Sequence, residues 1–135
     1  MLGADRKAAE VVAAPAAMAY GLIGIMRALP FDIRSGRVYL PADMLARYGA
    51  TELAPDGSSL APLLADMRGR ARAALDEALP LLTTLPPNPR KAFLPLALVV
   101  PYLGALERAA KTPFTAIADI NPLYRFWRLA TWRHD

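Results

Sequence analysis

Apolar residues in this chain recur at helical spacing, and no stretch alternates apolar with polar residues convincingly enough to read as a strand. Val11, Met18, Leu22, Ile25 and Leu29 follow at intervals of three, four and seven, which places them on one stripe of a helix. Leu60, Leu63, Leu64, Met67, Ala71, Ala74, Leu75 and Ala78 form a second stripe. Much of the 55% hydrophobic fraction is Ala and Leu, which favour helix, while Val, Ile and Thr are too sparse for a sheet. The expected fold is all-α, a bundle of about five helices in one domain over residues 1–135.

Breakers and caps set the expected boundaries. A first helix runs from about Asp5, a fair N-cap, to Ala28; Pro15 kinks it and Pro30 stops it. Pro30–Leu40 is then a connecting loop, followed by a short helix from Pro41 at its first position to Tyr48, with Gly49 past its end. Ala54–Ser59 is turn and capping chemistry. A third helix covers about Ser59–Leu79, with Asp66 and Arg70 at i,i+4, and Leu85–Pro89 is a hard break. A fourth, about Arg90–Lys111, is apolar nearly all round until Glu107 and should be central. The last, about Pro122–His134, carries Tyr124, Phe126, Trp127 and Trp132.

Composition removes several kinds of chemistry. The chain has no cysteine, so disulfides, thiolate metal sites and cysteine nucleophiles are excluded. Its one histidine, His134, sits beside the end, which argues against a histidine metal site or a Ser-His-Asp triad. Carboxylates and arginines must carry whatever chemistry there is. The net charge of +4 suits anionic partners such as diphosphates or anionic lipid, but no Lys/Arg block or nucleic-acid signature points to nucleic acid. Asp5 and Glu10 interrupt the beginning and no clean cleavage site follows, so no signal peptide is expected. The uncharged runs Val11–Met26 and Ala92–Leu106 are shorter than the ~20 residues of a membrane span and read as core helices.

The stretch Leu22–Leu45, LIGIMRALPFDIRSGRVYLPADML, is the most informative. Arg27, Asp32, Gly36, Arg37, Tyr39, Leu40 and Pro41 fall in the register of an Arg-Asp-x-x-x-Asp-x-x-x-Gly-Arg-x-Tyr-Leu-Pro pattern. In this the chain resembles the second aspartate motif of the squalene and phytoene synthases. Tyr102–Leu106 and Pro122–Trp132 look like that family's late Tyr-x-x-x-Leu helix and closing helix. The resemblance covers nearly the whole chain but only the carboxy-terminal half of the family's domain. It implies an isoprenoid-synthase-type bundle. It also implies a prenyl-transferring ancestry, in which carboxylates at i and i+4 hold magnesium ions against a leaving diphosphate and an arginine grips phosphate.

The chain departs from that pattern where the metal is held. Ala28 stands in place of the first aspartate, leaving Asp32; Gly24 and Gly21 replace an Asn and a Gln. Pro30, between Ala28 and Asp32, is expected to turn Asp32 off the face it should occupy. The sequence RALPFDIRSGRVYLP is closer to the catalytically degenerate subgroup related to respiratory complex I assembly factors. The resemblance therefore implies a non-catalytic assembly or binding protein with no cofactor, with complex I subunits among its partners. The alternative is a magnesium-dependent prenyltransferase condensing two prenyl diphosphates. Either implies a place in the cytoplasm or peripheral to the inner membrane.

The matched residues carry paired readings. Arg27 either binds a phosphate or pairs with Asp32. Asp32 is a residual metal ligand or a solvated loop acid. Arg37 and Tyr39 line an old substrate mouth or hold a structural loop. Tyr102 faces a cavity or is a buried tyrosine with its hydroxyl bonded. The last helix lies on a membrane surface, or packs Tyr124, Trp127 and Trp132 on the core with its arginines in water. Half a bundle would leave helix faces uncovered, so the chain is expected to dimerise, to bind a missing amino-terminal half, or to be part of a longer protein.

Overall fold

The computed structural model describes residues 2–37, 39–48, 58–112 and 118–132, and every element among them is helical. Helix α1 spans Leu2–Arg34 and α2 spans Ala42–Arg47. A 3-10 turn at Ser58–Leu60 leads into α3, Ala61–Thr83. The single turn α4, Pro87–Arg90, continues as 3-10 helix over Lys91–Leu98 into α5, Val99–Ala109; α6 is Pro122–Thr131.

The two long helices α1 and α3 pack against each other, and α5 packs on both. The expected α3 stripe is buried throughout and extends to Leu82. The expected α1 stripe holds in its second half, where Leu22 and Leu29 are buried and Ile25 packs partly on the core, and fails in its first. Val11 and Met18 are exposed, and the core face runs through Val12, Ala16, Ala19, Ile23 and Met26. Ala16 and Ala19 of α1 and Ala71, Ala74 and Ala78 of α3 are all buried, small residues that allow the two packed helices to approach closely. Among the described residues no polar or charged side chain is fully buried.

Two corrections concern prolines in α1. Neither Pro15 nor Pro30 ends the helix, which continues to Arg34. Each removes one backbone donor, a cost of about 3 kcal/mol in an isolated helix interior. Here both rings are themselves buried, and packing against α3 outweighs the loss. The real stop is Gly36 at φ +70°. Around it Arg37 N donates to Asp32 O (2.8 Å) and Gly36 N to Ile33 O (3.0 Å), the paired bonds of a Schellman end. The Gly-Arg of the motif thus has a backbone cause: glycine takes the left-handed position and the next amide caps the helix. Pro41 takes the N-cap of α2 rather than its first position. Gly49 and most of the expected turn at Ala54–Ser59 lie outside the described residues.

The expected fourth helix is divided. Pro95 and Pro101 each withhold a donor, and residues 91–98 tighten to 3-10 geometry. α3 runs past Leu79, and Arg90 caps its end by donating to Thr83 O (3.2 Å) and Leu85 O (2.6 Å). The two uncharged runs lie within longer helices, Gly3–Arg34 and Pro87–Ala109, which by length and composition alone suffice to cross a membrane. Each also forms part of the bundle core, with 39% and 44% of its apolar window buried.

α6 departs in part from the reading that packs its aromatics on the core. Leu129 and Trp132 pack partly on the core, but Tyr124 and Trp127 stack on each other at the surface. The arginines turn inward instead. Arg128 donates to Ala97 O through both Nε (3.3 Å) and a terminal nitrogen (3.1 Å). Ala97 O is the carbonyl that residue 101 would serve in an α-helix, and residue 101 is a proline without an N–H.

Candidate functional site

Arg27 is the centre of the best-formed polar cluster. It projects from α1, partly buried, with its guanidinium carbon 3.8 Å from the centroid of the Tyr102 ring on α5. Its Nε donates to Ala118 O (3.2 Å) and a terminal nitrogen lies 3.5 Å from Asp119 Oδ1. The same oxygen accepts from Arg125 on α6 (2.9 Å) and from Ile120 N (2.8 Å). Asn121 follows as the N-cap of α6, its side chain accepting from Leu123 N. One arginine thereby joins α1, α5 and the lead into α6.

This geometry settles the first paired reading against Arg27–Asp32. The two residues are five apart on a continuous helix, about 140° around its axis, so they point in different directions. Arg27 takes Asp119, a carboxylate more than ninety positions away that spacing alone does not reveal. Sequence reasoning also left Arg125 in water, whereas it shares Asp119 with Arg27. The one local signal was the Asp-Ile-Asn-Pro run, which marks a capped helix start without naming a distant partner.

Asp32, Arg37 and Tyr39 form a separate group at the far end of α1. Asp32 stays in the helix, one turn beyond Ala28, so Pro30 does not turn it off the Ala28 face as expected. Arg37 is exposed, and among the described residues its side chain makes no hydrogen bond or ion pair. Tyr39 is exposed as well. Tyr102 is 2% exposed, and its ring is the platform for Arg27.

Magnesium needs several hard oxygen ligands. Among the described residues no three Asp, Glu or His side chains come together to hold a metal ion. Ala28 offers a methyl group one turn from Asp32, so these residues do not fit a magnesium cluster. Beside the arginine cluster, the space between Met26, Leu29, Arg68, Leu106 and Ala118 is about 20 Å³. That holds one water, not a prenyl chain.

A second polar link joins α2 to α3. Tyr48, at the end of α2, lies beside Asp66 of α3, whose carboxylate raises the tyrosine's pKa. Arg70, 3.3 Å from Asp66 Oδ1, holds the carboxyl below the usual carboxylate range.

These features define an all-α bundle of the isoprenoid-synthase type, with an arginine cluster built on Arg27 of the Leu22–Leu45 motif. The family model for squalene/phytoene synthase matches residues 1–131, and the chain belongs to that family. Comparisons with curated proteins and with solved structures gave no match.

Proposed function

We propose that the chain is a non-catalytic member of the squalene/phytoene synthase family that acts by binding or assembly, related to respiratory complex I assembly, rather than by condensing prenyl diphosphates. The observation that carries this reading is the engagement of Arg27. The motif arginine, which the resemblance assigns to phosphate, is held by Ala118, Asp119 and the face of Tyr102. A diphosphate would have to displace a carboxylate already shared by two arginines. The replacement of an acid by Ala28 supports the same conclusion. The complex I role rests on the subgroup resemblance of RALPFDIRSGRVYLP. A second copy or an amino-terminal half remains the proposed cover for the outer face of α1, where Val11 and Met18 are exposed.

Calorimetric titration of farnesyl diphosphate into the folded chain, with and without magnesium, tests the catalytic part. The expected result is no magnesium-dependent binding. Binding that requires magnesium would show that a metal cluster assembles around Asp32 and would overturn the reading. Deleting the gene in its host tests the rest: loss of assembled complex I on native gels is expected, and normal assembly would remove the assembly role.

A further inference from the structure

α6 is an amphipathic helix mounted inside out. Leu123 is 80% exposed, Phe126 73% and Trp127 55%, with Tyr124 stacked beside Trp127. Leu123, Phe126 and Trp127 stand at i, i+3 and i+4, on one face of the helix. Its two arginines face the other way, Arg125 to Asp119 and Arg128 to Ala97 O. An orphan surface helix would turn these arginines to water and its aromatics to the core, so the arrangement needs a cause. The polar contacts supply it: they fix the rotation of α6 and leave the apolar face outward.

We propose that this face inserts into the interfacial layer of a lipid bilayer. Three observations favour lipid as the occupant. The face is aromatic, and Trp and Tyr suit the layer where an apolar body meets a polar boundary. α6 contains no acidic residue, and Asp119 beside it is already shared by two arginines. The surroundings are cationic. Arg108 shares a groove with the exposed Val100 and with Tyr124, Lys91 is exposed on the segment that α6 packs against, and the chain carries +4 overall, which complements anionic headgroups. Because Arg125 and Arg128 are engaged internally, aromatic insertion supplies the larger share of binding and charge the smaller. This inference does not depend on whether the chain is catalytic.

The test uses the full chain with Trp132→Phe, which leaves Trp127 as the sole indole. It is mixed with phosphatidylcholine vesicles, with and without a minor fraction of phosphatidylglycerol. The expected result is co-sedimentation with both, tighter with phosphatidylglycerol, and a blue shift of Trp127 emission that survives added salt. The double variant Leu123→Ser/Phe126→Ser should lower partitioning by at least about tenfold while circular dichroism stays unchanged, since both side chains are exposed. A folded chain that stays in the supernatant with both vesicles would overturn the proposal. So would a double variant that sediments as well as the parent. A Trp127 shift that grows with protein concentration and ignores vesicles would assign the face to a protein contact instead.

Discussion

The α1–α3 pair and α6 are attached to this molecule by opposite means. α1 and α3 meet through side chains without polar atoms, buried on both sides, with alanines where the helices pack and Leu63, Met67 and Ile23 around them. α6 buries no residue completely and is attached largely through charge-assisted bonds from Arg125 and Arg128, supplemented by partial packing of Leu129 and Trp132. Apolar packing is non-directional and fixes a helix wherever its stripe lies. Arginine contacts are directional, so they can hold a helix with its apolar side outward. The comparison shows that amphipathicity alone does not tell which side of a helix faces the protein.

The largest effect that would break or support this comparison is in the core. Met67→Ala removes a fully buried side chain between α3 and its neighbours and should cost about 2–5 kcal/mol. Phe126→Ala removes a larger side chain from α6 and should stay within about 0.5 kcal/mol. Chemical denaturation of both variants measures the contrast. Equal losses would mean that the aromatic face of α6 is covered in solution, and the comparison would fail.

An intermediate effect is expected at Arg27, where the two modes of attachment meet. Arg27→Leu keeps apolar bulk over Tyr102 but removes the cation from its ring and the bond to Ala118 O. About 1–2 kcal/mol should be lost. Asp119 keeps Arg125, so no carboxylate is left stranded. Equilibrium unfolding reads the loss. An unchanged stability would mean that the cluster is incidental and that Arg27 is not a structural residue.

How far the sequence disclosed this arrangement follows from the kind of interaction involved. The α3 stripe was legible because it is large and periodic, and its residues are buried as read. The α1 stripe was legible at Leu22 and Leu29, which are buried, but not at Val11 and Met18, because the alanine-rich first half of the helix has little hydrophobic contrast. The family register was legible from Arg27 to Pro41, yet the effect of Pro30 was not, since propensity describes an isolated helix and packing overrode it. Of the site residues, Arg27 and Tyr102 do come together, but their partner Asp119 is joined to Arg27 only by the fold. The orientation of α6 was hidden for the same reason: Arg128 answers a carbonyl that Pro101 cannot serve.

The smallest expected effect lies at the Tyr48–Asp66–Arg70 link, a polar attachment at the surface rather than at the core's edge. The Arg70 guanidinium is the main cause of the lowered Asp66 pKa, and the Tyr48 hydroxyl adds to it. The unfolded chain therefore holds more protons on this group than the folded chain across the acid range, and stability rises with pH there. The contribution is fully present above the unfolded carboxylate pKa of about 3.9 and is lost as pH falls through the lower folded value. Exposed ion pairs are weak and screened by salt, so the gap between the parent chain and Asp66→Asn should be small at neutral pH. It should close as the acid is protonated, and close further in high salt. Denaturation midpoints of both chains from neutral pH down into the acid range measure it. A gap that stays constant with pH would show that α2 is held by the packing of Met44 alone, and the polar link would then be an accident of proximity.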